Sequence, residues 1–392
     1  MKILIDQVDK SLTWDGLSSM SRQLLDYALA IQQIPSPTFH EERRASYLKA
    51  QFGSLSLAEV EVDDESNMFA LLPGLNRNAP SIMISAHTDT VFAENTDLQT
   101  RTEEGVIYGP GLGDNSMGVA SLLTLARFFQ QQKIMPECDL WFVATTGEEG
   151  LGDLKGMKCA FRRLKPRVGC VINLEGLAFG HIYHAGIAVR RLRITATAEG
   201  GHSWLHFGRP NAIHGLVELG ARIVGMRPPQ SPRTTYNIGV IEGGHSVNSI
   251  AGYASLWLDL RSEDPKALET LEQHVRAHVD AVTKHDLNFT IEIVGDRPAG
   301  SIPADHPLVL GAMRALEVVG TQGVLETGST DGNIPLAEGC PAITIGITRG
   351  GNAHRLDEYI ETSPVESGLR QLILLVLAAA IHQAQQELKQ SS

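Results

Sequence analysis

The sequence predicts an α/β protein in which a larger domain with a mostly parallel sheet is interrupted by a smaller α+β domain. Three observations point there. Up to about residue 187, short apolar runs alternate with segments of helical spacing, as in strand–helix–strand units. From Val189 the pattern changes to polar–apolar alternation in a β-α-β-β-α-β order, which matches the ferredoxin-like unit. After Gly295 the strand–helix pattern of the first part resumes. At 392 residues the chain is longer than the roughly 250–300 residues that one core usually holds. The expected layout is therefore residues 1–187 and 297–392 for the split domain and 188–296 for the insertion.

Each element has its own signal. Residues 17–34 carry apolar side chains at helical spacing and stop at Pro35 and Pro37, which cannot continue a helix. A second helix is expected over 41–52. Strands are expected at 69–72, 82–85, 140–145 and 168–173, with a helix over 118–131 between the middle pair. In the insertion, strand 191–198 precedes helix 212–226, strands 237–241 and 254–260, helix 265–284 and strand 288–294. The last part holds helix 307–319, strand 342–347 and a C-terminal helix.

Composition narrows the function. Apolar residues at 43% and charged residues at 20% are ordinary for a globular chain, so no disordered segment is expected. A net charge of −12 disfavours nucleic acid, which is bound through clustered Lys and Arg. The short basic runs Arg43-Arg44, Arg162-Arg163 and Arg190-Arg191 are scattered and read as solvated faces. Cys138, Cys159, Cys170 and Cys340 form no C-x-x-C pair and read as buried thiols of a reducing compartment. The apolar patch at the N-terminus is too short for a signal peptide. The longest apolar run, 372–381, is about half of a membrane span and reads as a buried helix. A cytoplasmic protein without a membrane or nucleic-acid partner is expected.

Three apolar strands each run into metal-capable side chains. Strand 82–85 leads to His87-Thr-Asp89, strand 140–145 to Gly147-Glu148-Glu149-Gly150, and strand 168–173 to Glu175. In open α/β sheets, ligands gather outside the carboxyl ends of strands, so these clusters can share one crevice. The glycine-rich loop Gly109-Pro-Gly-Leu-Gly-Asp114-Asn-Ser-Met-Gly118 can bring in a further carboxylate before opening a helix. A fifth cluster, Asn352-Ala-His354-Arg-Leu-Asp-Glu358, follows the last strand. Singly, each has a bland reading: a structural histidine at a strand end, or a solvated Glu-Glu turn. Together, two histidines and three carboxylates suit a pair of ions such as zinc, manganese or cobalt. No Walker loop and no G-x-G-x-x-G order occurs, which removes the common nucleotide-binding readings.

In this order the segments resemble the co-catalytic zinc metallopeptidases and deacylases, a family that includes carboxypeptidase G, peptidase T, acetylornithine deacetylase and succinyl-diaminopimelate desuccinylase. The resemblance starts at Ile34-Pro-Ser-Pro-Thr-Phe-His-Glu-Glu42 and runs through His87-Thr-Asp-Thr-Val91, Asp114 and Glu148-Glu149 to His354. It takes in Gly200-Gly-His202-Ser and Gly243-Gly-His-Ser-Val-Asn248 of the insertion. It implies a zinc-exopeptidase-like catalytic domain with a lid or dimerisation domain, and hence a homodimer formed through the insertion. It also implies two divalent ions, with His87 and Glu175 on one, Glu149 and His354 on the other, and Asp114 bridging. Asp89 would orient His87, Glu148 would be the general base, and His202 would polarise the scissile carbonyl. Asn248 and Arg261 would grip a substrate carboxylate, although Arg261-Ser-Glu263 also reads as an ordinary strand-end salt bridge. Asp331 is expected near the site without an assigned role, and His181, His184, His206 and His245 as structural or exposed.

The chemistry asks for the same residue types. Amide hydrolysis at neutral pH needs a hydroxide nucleophile, and zinc lowers the pKa of a bound water to about 7. The expected function is an exopeptidase acting on short peptides, because the run from Arg233 to Gly244 looks like the peptidase T branch. The alternative is an N-acyl-amino-acid deacylase using the same metal site. A catalytically silent metal-binding scaffold is disfavoured, since every candidate position keeps a competent residue.

Overall fold

A computed structural model describes residues 1–390. The chain divides into two compact units, one formed by Met1–Gly186 together with the residues from Gly300 onward, the other by Ile187–Ala299. The insertion thus starts one residue earlier and ends three later than the 188–296 read from the sequence.

The larger unit is built on a mixed sheet whose order is Ala58–Val62, Met68–Leu72, Leu140–Thr145, Ser81–His87, Val168–Leu174, Ala342–Ile345, His181–Gly186 and Gly300–Ser301, with Val324–Gly328 also paired to His181–Gly186. The four strands from Leu140–Thr145 to Ala342–Ile345 are mutually parallel. Strands Leu140–Thr145 and Ser81–His87 are buried along their whole length, as expected of parallel strands covered on both faces. That burial explains why they read as continuous apolar runs rather than as alternation. Register then aligns their ends: His87 lies opposite Thr145, and Leu174 opposite Ile345.

Helices Leu17–Gln32, Met117–Gln132 and Val365–Gln390 supply much of the apolar cover. Val365–Leu388 is long and apolar enough to cross a membrane by composition, but 72% of its apolar window is buried, and Leu372, Ile373, Leu375 and Val376 belong to the core. Strand Val168–Leu174 and helix Pro307–Val318 end within a residue of the expected positions, because apolar periodicity sets them. Helix Lys2–Ser11, strand His181–Gly186 and a small sheet of Arg101–Glu103, Val106–Tyr108, Gly350–Gly351 and Tyr359–Glu361 were not expected. The strands among them are short and defined by long-range pairing, whereas the helix has few apolar residues and buries only Ile5 and Val8.

The inserted unit has a four-stranded antiparallel sheet ordered Thr234–Gly243, Tyr253–Ser262, Ala188–Ala198, Leu287–Arg297, beside a two-stranded one of Gly201–His202 and Ser249–Ile250. In chain order the larger sheet runs second, third, first and fourth strand, the ferredoxin-like arrangement. Helices Ala212–Val224 and Pro265–Val282 bury Leu216, Leu219, Leu268 and Val275 in a core of its own. Both helices start on side-chain caps, Asn211 accepting from Ile213 N and Asp264 from Ala267 N.

Candidate metal centre

The clusters read at the strand ends do converge. His87 ends strand Ser81–His87 and is buried. Its Nε2 meets Asp114 Oδ1 at 3.1 Å and Glu175 Oε2 at 3.5 Å. On the other side, His354 Nε2 lies 3.1 Å from Asp114 Oδ2 and 3.1 Å from Glu149 Oε1. One carboxylate therefore spans two histidines, each with a second carboxylate of its own. Ligand atoms of His87, Asp114 and Glu149 all fall within 4.8 Å of one another. His354 sits in a turn whose backbone is left-handed at Asn352 (φ 58°) and at His354 itself (φ 68°), a conformation uncommon outside glycine that Asn and His adopt more readily than most residues.

The charges respond to this crowding. Burial opposes protonation of His87, yet Glu175, Asp114 and Asp89 hold its pKa well above the ordinary histidine value. Bonds to Asp114 and Glu149 lift His354 to about 10. Burial would raise Asp114, but the two imidazoles pull it well below the usual carboxylate range. His87 and Glu149 are buried, Asp114 and Glu175 partly so, and His354 is exposed; such a set of nitrogen and carboxylate oxygen donors fits cations.

A second layer fixes these groups. Asp89 takes the N–H of Glu148 on Oδ1 and that of Glu149 on Oδ2, both at 2.9 Å, and the Thr38 hydroxyl on Oδ2 at 2.9 Å. His87 Nδ1 is nearer to the Asp89 backbone carbonyl, 3.1 Å, than to its carboxylate, 3.5 Å. Asp89 thus orients His87 largely through its main chain, while its side chain holds the Glu148-Glu149 turn, a task the sequence did not suggest. Glu148 and Glu149 are buried at 7% and 5% exposure, so this pair is no solvated turn. Asn115 ties the glycine loop to the strand end, donating to Leu174 O at 2.8 Å and accepting from Gly176 N at 2.9 Å.

Further buried groups received no task from the sequence, although Asp331 was expected near the site and does lie there. Glu41 accepts from Gly147 N at 3.1 Å and Phe39 N at 3.1 Å, and burial, with Asp89 nearby, lifts its pKa to about 7. Arg44, read as part of a solvated basic run, is instead 1% exposed and donates to Ile34 O and Thr88 O, both at 2.8 Å. Glu358 accepts backbone N–H groups of Gly111, Gly113 and Asp114. Asp331 is wholly buried, accepts from Thr145 Oγ1 at 2.5 Å, leaves Oδ1 without a hydrogen-bond partner, and is raised by burial to about 7. No local pattern reveals what these residues hold, because their partners are distant in the chain.

His202, Asn248 and Arg261 belong to the inserted unit. His202, in the short strand Gly201–His202, is exposed, and its Nδ1 accepts the N–H groups of Trp204 at 3.2 Å and Leu205 at 3.4 Å. Asn248 is exposed and accepts from Ser246 Oγ at 2.6 Å. Arg261 lies within strand Tyr253–Ser262 and pairs with Asp259 at 2.7 Å, so its salt-bridge partner is Asp259 rather than Glu263. Of the other histidines, His181 faces Glu326, His184 bonds Ile302 O, His206 accepts from His202 N, and His245 is exposed.

The sequence profile of peptidase family M20/M25/M40 matches residues 83–380. The chain belongs to this family. Succinyl-diaminopimelate desuccinylase of Corynebacterium glutamicum is 28% identical over 345 residues, covering 85% of this chain and 89% of that one. Acetylornithine deacetylase of Pectobacterium carotovorum is 26% identical over 355 residues, covering 86% and 90%. Among solved structures, a tripeptidase of Staphylococcus aureus superposes with a TM-score of 0.76 at 21% identity, covering 92% of this chain and 99% of that one. A dinuclear metal-binding peptidase of the M20 family from Bacillus subtilis superposes with 0.67 at 15% identity, covering 93% and 99%. These structural likenesses are likenesses of fold. Family membership makes the protein a hydrolase of the peptidase and amidohydrolase class, and its His/Asp/Glu cluster has the donors to hold the metal that such enzymes use.

Proposed function

We propose that the protein hydrolyses a terminal amide bond of short peptides with two zinc-class ions, held by His87 and Glu175 on one side, Glu149 and His354 on the other, and Asp114 between them. The observation that carries this reading is the Asp114 carboxylate, whose two oxygens meet two different histidines at 3.1 Å each. A pair of ions about 3.5–4 Å apart needs such a shared ligand. When bound, the pair supplies Lewis acidity toward water and toward the amide carbonyl.

The chain's own groups do the rest. Glu148 takes the proton of the attacking water and passes it to the leaving nitrogen. The Asp89 carboxylate keeps Glu148 and Glu149 in their separate orientations by fixing both backbone N–H groups. Because His202 Nδ1 accepts hydrogen bonds, its neutral ring carries the proton on Nε2, a donor suited to a developing oxyanion. The guanidinium of Arg261 and the amide of Asn248 suit a substrate carboxylate. Homodimerisation through the inserted unit is supported by Trp204, Phe207 and Val247, which are 84%, 91% and 102% exposed around the His202 and Asn248 turns. A cytoplasmic location accords with four free thiols.

The substrate class rests on the likeness of residues 233–244 to the peptidase T branch. The second reading, removal of an acyl group from an N-acyl amino acid, is favoured by the curated relatives, a desuccinylase and a deacetylase. A panel of di- and tripeptides assayed beside N-acetyl and N-succinyl amino acids decides between them. Peptide turnover that chelation abolishes and zinc, cobalt or manganese restores is expected; turnover confined to acyl substrates selects the second reading, and turnover indifferent to chelation rejects both.

A further inference from the structure

Glu358 has no part in the reaction outlined above, yet its carboxylate is wholly buried and fully engaged. Oε1 accepts the backbone N–H groups of Gly113 at 2.7 Å and Asp114 at 3.0 Å, and Oε2 accepts that of Gly111 at 3.2 Å. The Glu358 carbonyl also accepts from Gly109 N at 2.8 Å. This one residue ties the loop carrying Asp114 to the turn carrying His354, although Glu358 and Asp114 are 244 positions apart.

The physical need for such a clamp is plain. A loop of alternating glycines has little conformational preference of its own, so outside contacts must define its path. Its buried N–H groups need acceptors, and a carboxylate supplies stronger bonds than a neutral group. Where that loop lies decides whether the Asp114 carboxylate can face His87 and His354 at once.

We propose that Glu358 is a positioning residue that couples the two halves of the metal pair, setting Asp114 against His354 so that the second ion is held tightly only while this clamp is intact. The proposal rests on the di-metal reading above and extends it to a residue outside the ligand set.

The test is a titration of metal-free protein with Co²⁺, followed by visible absorbance, with thermal melting of the metal-free form as the measure of folding. Wild-type protein is expected to take two equivalents. Glu358→Gln keeps the side chain's size but turns an NH₂ group toward backbone donors. It is expected to bind the first ion almost unchanged and the second about 10–100-fold more weakly, with kcat reduced and KM little altered. Glu358→Asp, which keeps the charge on a shorter stem, is expected to fall between the two and serves if the glutamine variant does not fold. A clamp that only adds stability lowers the melting temperature and leaves both affinities of the folded protein intact. That result, with an unchanged cobalt spectrum, overturns the proposal. Fewer than two equivalents on the wild-type protein instead overturns the di-metal reading itself, and that arm of the titration reads it separately.

Discussion

The Asp89 carboxylate and the Glu148 side chain show how neighbouring acids come to differ. Asp89 is fully buried and accepts from Thr38, Glu148 and Glu149. Each of those donors left unpaired costs about 1–3 kcal/mol. Asp89→Ala is therefore expected to lower stability by roughly 3 kcal/mol or more, read from denaturant unfolding of metal-free protein; a loss below about 1 kcal/mol would mean that water replaces the carboxylate. Glu148 has the reactive task in the proposed mechanism. Glu148→Gln keeps the shape but cannot take a proton, so bound metal should stay while kcat falls on the order of 10²–10⁴-fold. Metal analysis and steady-state rates on the same preparation check this, and an undiminished kcat removes Glu148 from the mechanism.

Among the elements, the decisive contact is between the glycine loop and the end of strand Val168–Leu174. A Cβ on Gly176 would lie 2.2 Å from Gly113 O and 2.6 Å from Met117 Cβ, so the backbone next to Glu175 can approach the backbone next to Asp114 only because that position is glycine. Gly176→Ala must push the two apart. A loss of about 1–3 kcal/mol is expected, together with weaker metal retention, whereas a metal-loaded variant that melts like the wild type would show that the loop yields freely. The helix Val365–Gln390 makes the complementary point. Its long apolar stretch is explained by burial in the core, where Leu372 and Leu375 are wholly enclosed. Leu372→Ala is expected to destabilise the protein by about 2–5 kcal/mol, measured by urea unfolding.

At the scale of the molecule, burial governs the thiols. Cys138 and Cys170 are buried, whereas Cys159 and Cys340 are partly exposed, so only half of the expected buried set is enclosed. Burial, with Cys340 nearby, pushes the Cys170 thiol up to about 12, and burial raises the Cys138 thiol as well. A thiol reacts as its thiolate, so at pH 8 both should resist alkylation in the native protein and react once it is unfolded. Mass spectrometry of labelled peptides, native against denatured, reads this directly, and rapid native labelling of Cys170 would show that its surroundings open. The two units hold separate apolar cores, one around the parallel sheet and one under the inserted helices.

What the sequence determined by itself is whatever local periodicity and strand-end chemistry encode. Continuous apolar runs specified strands buried on both faces, alternation specified the half-exposed strands after Val189, and the polar clusters after those runs and in the glycine loop marked where metal-capable side chains gather, while the family resemblance assigned His87, Asp114, Glu149, Glu175 and His354 among them. Parallel strands bring their carboxyl ends to one edge, so residues named separately were bound to meet. Only the tertiary structure decided which side chains hold those residues in place. Arg44 looked like a solvated charge until the carbonyls of Ile34 and Thr88 enclosed it. Asp89 looked like a partner of His87 alone until the amides of Glu148 and Glu149 came within 2.9 Å. Glu358 had no visible task until the glycine loop closed on it. The reason is common to all three: a buried hydrogen bond between segments remote in the chain leaves no periodicity in either, and it exists only once the chain has brought them together.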